Sequence, residues 1–119
     1  RMIDEATRLT RSNQWLGTYE YMAPEAFVGR SGADHRADIY SFGIVAFQML
    51  HGRLPFLACE PLILAEMHRK YPLPPFASTI PMWLITLLQA CTKKKPSHRV
   101  QSMTEVKGVL AEGLTQFNR

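Results

Sequence analysis

The stretch Asp34-His35-Arg36-Ala37-Asp38-Ile39-Tyr40-Ser41-Phe42-Gly43-Ile44-Val45-Ala46-Phe47-Gln48-Met49-Leu50-His51-Gly52 decides the fold. Asp34 is of the type that caps a helix start by accepting backbone N–H groups, and Gly52 suits the left-handed residue that ends one. Between them, Phe42, Ile44, Val45, Ala46, Phe47, Met49 and Leu50 leave no polar stripe. A helix that is apolar all round is a buried helix and expects protein on every side. At this length, flanked by charge, it is too short to span a bilayer.

Shorter elements extend outward from this helix. Pro24 disfavours helix at Ala23 and opens one helical turn through Phe27. Gly29 and Gly32 bracket a loop, and Arg53 to Phe56 form a turn. Residues 60–70 are expected to be a helix, with Pro61 near its start and His68-Arg69-Lys70 at its end, where cations suit the helix dipole. Pro72, Pro74 and Pro75 make 71–79 a loop. Pro81 begins the next helix, whose residues Leu84, Leu87, Leu88 and Cys91 recur at i, i+3, i+4, i+7 as one stripe. Ser102 with Glu105 reads as a capping box. Val106, Val109, Leu110, Leu114 and Phe117 give a last amphipathic helix. Residues 1–22 carry no period and read as extended and irregular. Strands are nearly absent, so the class is mainly α.

Composition agrees with a globular protein: 119 residues, 46% hydrophobic and 20% charged. Disorder is excluded on that balance. There is neither an apolar run of about 20 residues nor a secretory signal at the start. The default expectations are a cytoplasmic location and no membrane contact. Two cysteines, Cys59 and Cys91, are no disulfide framework and are read as free thiols. The net charge of +4 is compatible with an acidic partner. Only Lys93-Lys94-Lys95 clusters, and such a run reads as a solvated loop, so no nucleic-acid partner is expected. The histidines lie on separate elements and read as surface or capping residues. Cys91 and His98 are two ligands at most, so no metal site is expected. Phosphate-cradling glycine loops and a nucleophile elbow are absent.

Gly17-Thr18-Tyr19-Glu20-Tyr21-Met22-Ala23-Pro24-Glu25 is more specific. It resembles the end of the activation segment of a eukaryotic-type protein kinase, closing in Ala-Pro-Glu. Asp38-Ile39-Tyr40-Ser41-Phe42-Gly43 is similar to the D-[VI]-[WY]-S-F-G that opens that family's central helix. Gly52 with Leu54-Pro55-Phe56 matches its G-x-x-P-F ending, and Cys91 to Arg99 keeps the spacing of its C-x-x-x-D-P-x-x-R. The blocks come in the family's order along the whole chain. Gly17-Thr18 ahead of Tyr21 to Glu25 resembles the Ser/Thr type. Asp38 to Val45 and the cysteine-based helix end resemble its tyrosine-kinase-like group. Lys95 and Val100 stand where the family commonly has Asp and Pro, and one residue is inserted between Arg99 and Ser102.

The resemblance implies roles residue by residue. Residues 1–25 would be the activation segment, and 26–119 the helical core of the C-terminal lobe. Glu25 and Arg99 would form a buried ion pair; otherwise they are a helix-start Glu and a solvated Arg. Asp38 would accept N–H groups of the catalytic loop, or else simply favour a helix N-terminus. Thr18 would support catalysis, or be a turn residue. Gly17, Thr18, Tyr21 and Met22 would dock the protein substrate, with Tyr21 and Met22 otherwise core. Thr7, Thr10 and Ser12, beside Arg8 and Arg11, are candidate sites for an activating phosphate from an upstream kinase.

Phosphoryl transfer needs groups that hold ATP and Mg2+. The glycine-rich loop, V-A-I-K, H-R-D-x-x-x-x-N and D-F-G are absent here. His35-Arg36-Ala37-Asp38 lacks the downstream Asn. With Arg1 rather than Met first, those motifs are expected upstream. The chain is then expected to be part of a Ser/Thr kinase, to bind no cofactor alone and to be inactive alone. The alternative is a truncated kinase or pseudokinase acting as a binding or scaffold module. The central helix would keep part of its apolar surface wet, favouring aggregation.

Overall fold

A computed structural model of the chain describes residues 19–27, 29 and 33–117. A 3-10 turn, Tyr19–Tyr21, leads into the short helix α1, Pro24–Phe27. Then follow α2, His35–His51, α3, Pro61–Lys70, and α4, Met82–Cys91. A second 3-10 turn, Pro96–His98, precedes α5, Met103–Phe117. No strand occurs among the described residues, and the class is mainly α as expected.

Helix α2 is set by its caps. The Asp34 carboxylate accepts the Arg36 backbone N–H at 2.9 Å. Gly52, at φ 72°, donates its N–H to the Gln48 carbonyl at 2.7 Å. A side chain at that backbone conformation would be strained. The helix divides the core in two. Tyr40 and Ile44 pack with Ala23, Phe56 and Leu64 on one side. Ile39 packs with Leu87, Cys91 and Val106 on the other. At Gly43 the two helices meet without a side chain between them, since a Cβ there would lie 2.5 Å from Thr92 Cγ2.

The third face of α2 is the part of its apolar surface expected to stay wet, although the all-round apolar pattern asks for protein there too. Val45, Met49 and Leu50 are exposed, Met49 by 80%. The described elements pack only on its other two faces.

Helix α4 buries Leu87, Leu88 and Cys91, with Leu84 packed partly beneath, so its stripe is the expected one. Ser102 caps α5 by accepting the Glu105 N–H at 3.2 Å. The reciprocal bond is displaced by one residue, because the Glu105 carboxylate accepts the N–H of Gln101 at 3.0 Å. The expected stripe of α5 is corrected: Val106 is buried and Leu110 partly so, but Val109 and Leu114 are exposed. The side chain of Phe117 lies outside the described residues. The inward path continues to Gly113, where a Cβ would fall 2.4 Å from the Trp83 ring. The large indole takes the space that a regular apolar stripe would have filled.

Candidate functional site

The segment from Tyr19 to Glu25 is fastened to the helices at several points. Ala23 is buried. The Met22 N–H donates to the Tyr19 carbonyl at 3.2 Å. The Ser41 hydroxyl donates to the Tyr21 carbonyl at 2.6 Å, and the Tyr21 hydroxyl donates to Gln48 Oε1 at 2.7 Å. Tyr19 stacks on Phe27 at 5.1 Å. Tyr21 and Met22 are both half-buried.

Glu25 and Arg99 anchor the far end. Arg99 Nη1 and Nη2 donate to the two Glu25 carboxylate oxygens at 2.7 and 2.8 Å. The side chains are 0% and 13% exposed for Arg99 and Glu25 respectively. The remaining guanidinium donors reach carbonyls: Nε to Lys93 at 2.7 Å, Nη1 to Arg36 at 2.8 Å, Nη2 to Lys94 at 3.2 Å. All five N–H groups of the guanidinium are thereby occupied, which is the condition for burying such a charge. Bidentate pairing of this kind also fixes orientation.

The substituted positions near Arg99 have their own contacts. Val100 stands where the family pattern has Pro, and its N–H donates to the Ala90 carbonyl at 3.2 Å, a bond Pro would lack. Lys95 precedes the Pro96 turn without a side-chain cap. In the longer stretch after Arg99, Gln101 Nε2 donates to the Arg99 carbonyl at 2.6 Å, while Gln101 Oε1 accepts from Arg36 Nη1 at 3.2 Å.

The structure does not assemble every residue singled out from the sequence. Thr7, Thr10, Ser12, Gly17 and Thr18 lie outside the described residues. Asp38 is exposed in the first turn of α2 and makes no side-chain hydrogen bond with the described residues. Cys59 and Cys91 are free thiols, exposed and buried respectively, and burial pushes the Cys91 thiol up to about 11.

Two residues were misjudged from the sequence. His68 is not a solvated cation at the end of α3 but a fully buried ring. Its Nδ1 shares a 2.8 Å hydrogen bond with the Tyr40 hydroxyl, and the rings of Tyr40, Phe27 and Phe56 lie around it at 5.6, 5.8 and 5.0 Å. Burial, then the charge of Lys94, push its pKa down to about 4, so the ring is neutral. Nε2 and Glu20 Oε1 are buried without a close hydrogen bond among the described residues. Lys94, in turn, is not part of a solvated run. Its neighbours Lys93 and Lys95 are exposed, but Lys94 is half-buried with Nζ 5.0 Å from the Phe56 ring centre and 5.7 Å from that of Tyr40. Arg99 lies 5.0 Å from the same Tyr40 ring. Three identical lysines in a row carry no sequence signal that sets the middle one apart.

Comparison with known proteins places this geometry in a family. The family model described as "Protein kinase domain" matches residues 3–109. The chain is 41% identical over 90 residues to the serine/threonine-protein kinase PksC of Streptomyces coelicolor, an overlap of 73% of this chain and 16% of that protein. It is 35% identical over 126 residues to Pkn1 of Myxococcus xanthus, across 100% of this chain and 18% of that one. To PknB of Mycobacterium leprae it is 33% identical over 113 residues, covering 92% and 18%. The chain thus spans less than a fifth of the length of these relatives. The described residues are helical and without a strand, which fits the C-terminal lobe of the kinase fold, and with the family model running through nearly all of it, the chain belongs to the protein kinase domain family.

Proposed function

We propose that this chain is the helical, substrate-docking part of a protein serine/threonine kinase that transfers the ATP γ-phosphate to protein hydroxyls. The supporting observation is the Tyr19–Glu25 segment, held to α2 through Ser41 and Gln48 and to Arg99 through Glu25. Such fastening pre-organises a surface on which a peptide can lie, so that its hydroxyl is positioned rather than searched for. In this reading residues 1–25 are the activation segment, and Gly17, Thr18, Tyr21 and Met22 receive the substrate chain. Thr18 assists catalysis, and Asp38 holds the catalytic loop. The Ser/Thr choice rests on the Gly17-Thr18 pattern and on the names of the relatives.

The family implies ATP and magnesium, and the described residues fit neither. No three of their His, Cys, Asp or Glu side chains come together as a metal-binding group. Asp38, the carboxylate with an assigned catalytic-loop role, makes no side-chain hydrogen bond among them. This chain's own contribution is docking and positioning, with the phosphate-binding groups supplied by other parts of the protein. None of the described helices is long and apolar enough to cross a membrane. We place the reaction in the cytoplasm, where ATP is available.

The test uses two forms: the protein together with its upstream coding sequence, and the 119-residue chain. Each is mixed with labelled ATP, magnesium, and peptides offering Ser, Thr or Tyr. Transfer to Ser and Thr by the longer form alone is the expected result. Transfer by the 119-residue chain, or preference for Tyr, overturns the reading. Peptide binding without transfer by the longer form would instead establish the scaffold alternative.

A further inference from the structure

We infer that the cavity between the α3–α4 loop and the end of α4 is a binding site for a small organic carboxylate carried on an apolar body. The cavity holds about 320 Å³ and is lined by Pro72, Leu73, Gln89, Thr92, Lys93 and Lys94. That is near the lower end of volumes that enclose small ligands. Its walls have two chemical characters. Pro72 and Leu73 are apolar. The charged groups of the lining are two lysines, with no carboxylate among the lining residues.

Lys94 is the group that calls for an anion. It is half-buried against Tyr40 and Phe56, and a second cation, Arg99, shares the Tyr40 ring. Arg99 has Glu25 to balance it. Lys94 forms no ion pair with any described residue. A desolvated ammonium without a partner is costly, and the faces of two rings only partly offset that cost. Burial first, and the Arg99 charge second, push the Lys94 pKa down to about 8. A carboxylate in the cavity would supply the missing negative charge.

The end of a helix ordinarily repels anions through its free carbonyls. Here the Leu88, Gln89 and Ala90 carbonyls are occupied. Thr92 donates its N–H to Gln89 and Leu88, and its hydroxyl to Leu88 at 2.9 Å. Arg99 takes the carbonyls of Lys93 and Lys94. The Gln89 side chain, which makes no hydrogen bond among the described residues, offers a further donor. The apolar wall of Pro72 and Leu73 suits a monocarboxylate carried on an apolar body better than a compact, multiply charged phosphoryl group.

Titration calorimetry of the full chain at neutral pH tests this with 3-phenylpropionate, using 3-phenylpropanamide as the uncharged control. The acid is expected to bind saturably, and the amide at least about tenfold more weakly. Lys94→Gln is expected to lose about tenfold in affinity or more, while Lys94→Arg keeps most of it. Affinity should fall as pH rises through about 8, because only the ammonium form attracts the ligand. The groups facing Lys94 are Tyr40 on α2, His68 on α3, and Lys93 and Arg99 on the segment after α4. Tyr40 is pushed up by burial and stays neutral in this range, as does His68. A separate readout on the unsubstituted chain is the Lys94 side-chain carbon resonance, whose titration should move to higher pH when the acid is added. No saturable binding, equal binding of the amide, undiminished binding by a folded Lys94→Gln, or an unmoved Lys94 titration would each overturn the assignment.

Discussion

Arg99, buried, and Lys94, half-buried, are cations five residues apart on the same tyrosine ring, yet they are treated in opposite ways. Arg99 places every N–H on an acceptor and meets its counter-charge at 2.7 Å. Lys94 has no carboxylate partner among the described residues and leans on aromatic faces. The difference teaches that burial alone does not make a charge structural. A planar guanidinium can fork between a carboxylate and surrounding carbonyls, whereas a compact ammonium needs acceptors close around one atom. The fully satisfied charge holds the Pro24 turn against the α2 start and the end of α4. The unsatisfied one borders a cavity.

The strongest way to break this comparison is to remove Arg99. Arg99→Ala or Glu25→Ala strands its partner and should cost roughly 3–5 kcal/mol, read by denaturant unfolding of the full chain. Arg99→Lys should recover little, because one ammonium cannot replace five fixed donors. A loss below 1 kcal/mol in both variants would mean that the pair is solvated and the contrast with Lys94 false.

Acid sharpens the comparison by adding a third cation. His68 has its pKa at about 4 against an ordinary 6.5, so the unfolded chain takes up the proton first. Its contribution is fully present above about pH 6.5 and is lost as pH falls toward 4, amounting to roughly 3 kcal/mol at most. His68→Gln should flatten that part of the stability–pH curve. An unchanged slope in this variant would show that the ring is not the group responsible.

The packing version of the contrast is smaller. Gly43→Ala pushes a methyl group toward Thr92 and Cys91, and should cost about 1–3 kcal/mol. Gly108→Ala meets nothing within 4 Å and should gain about 0.5–1 kcal/mol from helix propensity. Thermal unfolding of the two variants side by side measures the difference. Equal shifts would mean that α2 and α4 are not in close contact.

The smallest expected effect belongs to Lys94→Met. Removing a partly desolvated charge offsets the lost ring contact of about 0.5–1 kcal/mol, so stability should hold or rise slightly. A loss as large as that of Arg99→Ala, read in the same unfolding experiment, would place Lys94 with Arg99 among the structural charges.

Much of the fold was legible because its signals are local. Asp34 and Gly52 mark the ends of α2 and Ser102 the start of α5 through bonds within a turn of the residue concerned, and Pro61 marks the start of α3 through its fixed φ. Leu84, Leu87, Leu88 and Cys91 share a face at any location in space, since helical spacing alone puts them there. The stripe of α5 was not legible in the same way. Trp83, twenty-three residues before Val106, fills the space at Gly113 and turns Val109 and Leu114 outward. The exposure of Val45, Met49 and Leu50 likewise depends on what other elements cover, which periodicity does not record.

The order of motifs along this sequence determined its family, because a series of short blocks at kept separations is specific even where each block is weak. The same reading paired Glu25 with Arg99 by position. Only the tertiary structure decided what surrounds that pair, including which of three consecutive lysines is half-buried, that His68 is neutral, and that a cavity opens between the Pro72 loop and α4. The physical reason is range. Caps and helical faces are settled by groups within a few residues of each other. Charge state and burial sum over everything that packs nearby, and around Tyr40 that includes residues brought together from α1, α2, α3 and the segment after α4.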